Sequence, residues 1–242
     1  MFDTLGTITL TTVFAVLVGT LVGNAAVGAR NKMRLFGLAA LWGVATVALA
    51  AGGAFAPTAT GPVPAPLLAF GAATAVLIGL FAGSPGFREA LLGLPLSVLV
   101  GLNVARVFGF FFLLLYATGR LSAPFAQSAG YGDVLVSGFA AVLAIRLATR
   151  GDRATTMVAI WNAFGALDLL AALILAALSS PGTPFRLFTE GAGTEAMTTL
   201  PWALIPTLLV PLYLLVHLAI AVKVSHAGLP RHASLPGAGA AA

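Results

Sequence analysis

Seven stretches of the chain, roughly 5 to 27, 35 to 55, 65 to 83, 96 to 118, 133 to 150, 156 to 178 and 201 to 222, run almost without charge for 18 to 23 residues each. A helix needs about 20 apolar residues to cross a hydrocarbon core, so each stretch predicts one transmembrane span. Between them stand "APTATGPVPAP", "GSPGF", "LSAPFAQSAGYG" and "SSPGTPF". These Pro, Gly and Ser clusters end helices by steric and hydrogen-bond conflict. The pattern predicts an all-α, polytopic transmembrane helix bundle of about seven spans, forming a single domain over residues 1–226 with a flexible tail at 227–242.

Composition agrees with this reading and narrows the function classes. Hydrophobic residues make up 60% of the 242, charged ones only 8%, and the mean hydropathy is +1.04. A soluble domain with a hydrated surface does not carry such values. No polar block of domain size interrupts the spans, which argues against a separate soluble catalytic or nucleic-acid-binding module. The net charge of +5 is spread over short loops, where topology and anionic headgroups account for it. Cysteine is absent, which excludes disulfides, thiolate metal sites and cysteine nucleophiles together. The amino-terminal run carries Asp3 rather than a basic residue ahead of it, and "ARNKMR" follows it. That is the wrong polarity for a cleaved signal peptide, so it is read as a retained first span.

The placement of the basic residues predicts the orientation. Arg30, Lys32, Arg34, Arg88, Arg146, Arg150, Arg153, Lys223 and Arg231 fall on one side of the alternating loops, and Arg120 and Arg186 on the other. The positive-inside rule then puts the amino end outside and the carboxyl end in the cytoplasm of a multi-pass protein of the cell's inner membrane. Small residues four apart, Gly19 with Gly23, Gly79 with Gly83, and Gly101 with Ala105 and Gly109, are candidate seams where helix backbones approach closely.

One residue breaks the apolar pattern outright. Arg106 lies inside "LNVARVFGFFFLLLYATGR", about eleven residues into the fourth span, or roughly 16 Å along a helix and near mid-bilayer. An arginine there costs at least about 2.5 kcal/mol and needs compensation. Asp168 in the sixth span reaches nearly the same depth, on a helix face shared with Trp161, Gly165 and Ala172. Asn103 precedes Arg106 by three residues, while Asn162, His217 and Asn24 add polarity in what the orientation makes the cytoplasmic half. Asn103, Arg106, Asn162, Asp168 and His217 therefore form a candidate substrate or proton pathway, with Asp168 and His217 as the groups able to change protonation. The alternative is a structural ion pair that locks two helices, with His217 a neutral hydrogen-bonded histidine.

Arg120 and Asp133 bracket the loop between the fourth and fifth spans. Asp133 is expected to open the fifth span as an anion or cap at a helix amino end, the loop over an outward cavity being the other option for an outer gate. Pro201, Pro206 and Pro211 predict a kinked seventh span in which the carbonyls of Trp202 and Thr207 lose their usual partners.

No P-loop, dinucleotide fingerprint, HExxH, GxSxG or TVGYG filter occurs. Lys223 sits past the apolar run of the last span, the wrong place for a retinal Schiff base, and a single intramembrane histidine does not make a b-type haem site. No metal and no cofactor is predicted, and no nucleophile and base stand at a spacing that suggests an enzyme. The segments "RVFGFFFLLLYATGRLSAPFAQSAGYGD" and "WNAFGALDLL" resemble an uncharacterised group of bacterial multi-span inner-membrane proteins, a resemblance that implies no activity. Seven spans with basic turns after the first and fifth also match the layout of 3+1+3 sugar transporters, but the proline-glutamine signature of that family is absent. The reading is a small transporter or permeation protein for a small-molecule or ion substrate. Its alternative is a non-catalytic membrane subunit or sensor. The expected partners are the lipid bilayer and either a second copy or a membrane-complex partner, with no nucleic acid.

Overall fold

A computed structural model describes residues 2–56, 62–151 and 156–227. Arg153, Arg231 and the tail after residue 227 lie outside them. The described residues are helical, with no strand, and seven segments are long and apolar enough to cross a membrane. In chain order the helices are α1 (Phe2–Gly23), α2 (Ala29–Ala51), α3 (Ala65–Gly83), α4 (Pro85–Leu92), α5 (Leu96–Leu102), α6 (Phe110–Ala117), α7 (Phe125–Arg150), α8 (Thr156–Ser179) and α9 (Val210–Ala227). A 3-10 segment, Asn103–Gly109, joins α5 to α6 within one continuous span, Leu96–Ala117. A π-helical segment, Ile205–Leu209, leads into α9.

The helix ends follow from local chemistry. The Ser84 hydroxyl accepts from the Phe87 N–H at 3.3 Å and Pro85 occupies the first turn of α4, a short helix inside what the sequence presents as a breaker. Gly151, at φ 97°, stops α7 with a backbone that residues bearing a Cβ rarely adopt. Within the spans, the hydroxyls of Thr7, Thr11, Thr118 and Thr149 each donate to the carbonyl four residues back, at 2.6 to 3.0 Å. A hydroxyl so bonded carries little penalty into lipid.

The fifth span is longer than the sequence predicts, because α7 begins at Phe125 rather than at residue 133. The start of α7 buries Ala126, Ala129 and Gly130, and Gly130 admits the Leu113 side chain of α6. Small residues that resemble a loop in sequence are here a packing face. Asp133 consequently lies more than two turns inside a helix and does not cap one.

Spans four and seven form the centre, with 50% and 67% of an apolar 18-residue stretch of each buried against 11% for α2. Span four packs on α7, α7 on α8, and α8 on α9, while α3 lies against α9 and the π segment. Outward faces are apolar: Leu135, Phe139, Val142 and Ile145 of α7 are exposed, as a lipid-facing stripe requires. Of the small-residue rows, Gly19, Gly23, Gly79 and Gly83 meet no neighbour within 4 Å, so these two rows are not packing seams. The third row is one, since Gly101 faces Ala144 and Gly109 receives Asp133.

Pro206 falls within the wide turn of the π segment, and Pro211 follows it as the second residue of α9. The Trp202 carbonyl, expected to be freed, accepts from the Ile205 N–H at 3.1 Å, and the Thr207 hydroxyl donates to the Ala203 carbonyl at 2.6 Å. At the same end of the bundle, Asp3 accepts from Trp202 Nε1 and from Arg120, both at 2.7 Å, tying α1 to the starts of two other spans' connections. At the opposite end, Lys223 Nζ donates to the carbonyls of Leu92 and Leu94 at 2.7 and 2.8 Å, closing the turn after α4.

Candidate functional site

Arg106 sits at the middle of the 3-10 segment, with its side chain 1% exposed. Counting 1.5 Å per residue through α5 and 2.0 Å through the 3-10 turn, it lies roughly 18 Å from the start of its span. Seven residues of 3-10 geometry is a long run for this tighter helix. Its backbone is supported from outside, the Ser137 hydroxyl of α7 donating to the Val104 carbonyl at 2.6 Å.

Three helices converge on the guanidinium. Arg106 Nε donates to Asp133 Oδ1 at 2.7 Å, and NH2 donates to Asp168 Oδ2 at 2.5 Å. NH1 donates to the Gly165 carbonyl at 3.1 Å and approaches His217 Nε2 at 3.2 Å. The Tyr213 ring of α9 stands 5.9 Å from the guanidinium carbon, a cation–π distance. Sequence reasoning places one carboxylate beside Arg106, and the structure places two. Asp133, expected at the rim with Arg120, is instead a direct partner of Arg106, and Arg120 pairs with Asp3. A usable signal was present: a guanidinium has five N–H donors in a fixed fork, more than a single carboxylate satisfies.

The histidine is held in one tautomer by its neighbours. Asn162 Nδ2 donates to the His217 backbone carbonyl at 3.1 Å, which turns Asn162 Oδ1 toward His217 Nδ1 at 2.8 Å. An amide oxygen only accepts, so Nδ1 carries the proton and Nε2 presents its lone pair to Arg106. The imidazole is neutral here, since a second N–H would point at the guanidinium. Trp161 packs against the ring at 5.6 Å between centroids and donates its indole N–H to the Val136 carbonyl at 3.1 Å.

Glycines make the room. A Cβ at Gly132 would fall on the Asp168 carboxylate, and one at Gly109 on the Asp133 side chain. A Cβ at Gly165 would stand 2.6 Å from His217 Cε1. Each polar side chain of the cluster thus fits a notch in the neighbouring helix, which is why charged groups reach one another where the backbones pack closely.

The candidate Asn103, and Asn24, which the sequence offers only as a polar residue of the same half, stay outside the network. Asn103 is fully buried, and its amide donates back to the Leu99 carbonyl at 3.2 Å while its Oδ1 has no partner among the described residues. Asn24 is exposed at the end of α1, donating to the Thr20 carbonyl at 2.9 Å.

A cavity of about 40 Å³ adjoins the cluster, lined by Arg106, Asp133 and Tyr213 together with apolar residues such as Leu10, Val13 and Phe112. It is large enough for a water molecule. On the far side of His217 a wider groove of about 650 Å³ runs between α3, α8 and α9, lined by apolar residues with Thr74, Asn162 and His217 among them.

Fold and cluster together define a multi-pass membrane helix bundle with a buried arginine–carboxylate centre. Residues 63–224 match the sequence profile of a family described as Domain of unknown function (DUF8737), and the chain belongs to that family. The matched region runs from the start of α3 to residue 224 in α9 and takes in every residue of the arginine cluster. No match was found among curated proteins or solved structures.

Proposed function

We propose that this protein moves a small solute or ion across a membrane, with the Arg106, Asp133, Asp168 and His217 cluster as its central site. The observation that carries the reading is the convergence of two carboxylates and a neutral histidine, from three helices, on one guanidinium at mid-depth and beside a cavity. A charge in lipid needs one counter-charge. Groups beyond that number, at an interruption of the helix, are the usual marks of a pathway. The amino end faces outward and the carboxyl end the cytoplasm in this reading, and the membrane is the inner membrane of a bacterium. The bundle acts as one domain with residues 227–242 as its tail.

In proteoliposomes, Asp168→Asn and Arg106→Gln are expected to insert and remain monodisperse while abolishing proton or solute flux. Wild-type flux unchanged in both variants would reject the reading. A second reading, a non-catalytic subunit or sensor locked by a structural ion cluster, is favoured by the closure of the site, since Arg106 makes four polar contacts and the adjoining cavity is small. Under it, purification in mild detergent yields a stoichiometric partner, and the variants lose stability without any flux having been present.

A further inference from the structure

The cluster is not electrically balanced. One guanidinium faces two carboxylates whose side chains are only 16% and 9% exposed, which leaves one negative charge over if both are ionised. His217 does not supply the missing positive charge, because Asn162 Oδ1 accepts from its Nδ1–H and Arg106 donates to its Nε2. Besides Asp168 and Arg106, Asp133 has beside it a cavity that presents Tyr213 from α9 and apolar residues such as Leu10 and Val13 from α1. An uncompensated charge in such surroundings costs several kcal/mol, and a carboxylate escapes that cost by taking a proton.

We infer that the site holds one exchangeable proton, on the Asp133 carboxyl, and that Asp168 is the ionised partner of Arg106. Two features select Asp133. It lines the cavity and Asp168 does not. Tyr213, whose buried hydroxyl has no partner among the described residues, lines the same cavity, and a water bridging that hydroxyl to Asp133 would satisfy both. The step is a simple addition: a hydronium ion arriving from bulk solvent through the cavity gives its proton to the carboxylate and is left as water, so the carboxylate becomes a carboxylic acid and the cluster passes from one net negative charge to neutrality. A metal cation fits less well, since hard cations gather several oxygen ligands and the lining offers side-chain oxygens from Asp133 and Tyr213 alone. The inference rests on the transport reading only in naming the proton as the coupled or conducted ion.

Infrared spectroscopy of the whole protein in lipid tests it at neutral pH, where the water-facing carboxylates are ionised. The expected spectrum has one band from a protonated carboxyl, shifted in heavy water, displaced in frequency by Asp133→Glu but not by Asp168→Glu, and absent in Asp133→Asn, where one carboxylate is left to balance Arg106. No such band in the wild type, or one that survives Asp133→Asn, overturns the inference. So does a band that sodium or potassium abolishes, which would mark a cation site. If Asp133→Asn does not fold, Asp133→Glu serves, because a glutamic acid band at a displaced frequency gives the same assignment. A band with no flux in liposomes sinks the transport reading and leaves the proton site standing, and flux without a band does the reverse.

Discussion

Gly132→Ala tests whether the notches described above hold the cluster together. The added Cβ falls on the Asp168 carboxylate, so that carboxylate must leave its position or α7 and α8 must part. Overpacking alone costs about 1–3 kcal/mol, and displacing Asp168 from Arg106 adds part of the 3–5 kcal/mol typical of breaking a buried pair. A loss of at least about 2 kcal/mol is therefore expected. Gly138→Ala is the control on the same helix: nothing lies within 4 Å of its Cβ position, and replacing glycine in a helix is worth roughly 0.5–1 kcal/mol in the favourable direction. Reversible denaturation in mixed micelles, followed by tryptophan fluorescence, measures both. The double variant sharpens the result. Asp168→Ala should cost less in the Gly132→Ala background than alone, since the first change has already disturbed the pair. Equal stability of the two glycine variants, or strict additivity in the cycle, would refute the reasoning.

Other sites give independent checks. Arg106→Gln leaves two buried carboxylates without their cation and is expected to destabilise by about 3–5 kcal/mol in the same micelle assay, and to lose less as pH is lowered, because protonation then relieves the charge. Lys223→Met removes the ammonium bonded to the Leu92 and Leu94 carbonyls. Faster hydrogen exchange at the turn after α4 should follow, with a cost of about 1–3 kcal/mol. Asn162→Ala leaves His217 Nδ1 unpaired, with a similar loss of about 1–3 kcal/mol. Gly19→Ala, open like Gly138 and inside α1, should stabilise by roughly 0.5–1 kcal/mol, whereas Gly83→Ala, at the last residue of α3, should be neutral within about 0.5 kcal/mol.

The seven spans are legible in the sequence because lipid imposes a length and an apolarity that few other environments demand. The same property hides the packing. In lipid an apolar face does not distinguish a helix neighbour from a hydrocarbon tail, so periodicity fails to say which helices touch. Arg106 and Asp168 could be matched because depth is readable from chain position. Asp133 was misplaced because its depth was counted from the wrong start: "PFAQSAGYG" contains turn formers, and only the contacts of Ala126, Ala129 and Gly130 make it helix. His217 and Asn162 were found as polar residues of suitable depth, but their mutual bonds depend on rotamers that no spacing encodes. Two of the three small-residue rows, Gly19 with Gly23 and Gly79 with Gly83, are not seams for the opposite reason. Spacing is a property of one helix, and a seam needs a second helix to be there.

The glycines that do matter are distinguished by what faces them. Gly109, Gly132 and Gly165 are each opposed by a side chain of the polar cluster, whereas the open glycines are opposed by nothing. A buried arginine needs partners close to its own backbone, because the 3-10 segment that carries it is tightly packed against α7. Partners that close can be accommodated only where the opposing helix has no Cβ. The small residues on α7 and α8 are thus part of how the charge is tolerated, and the cluster and its packing were required together. The excess carboxylate is what that tolerance does not explain. A second helix's acid costs more to bury than it returns as a strut, so the argument for function at this centre rests on Asp133 more than on the arginine that first drew notice.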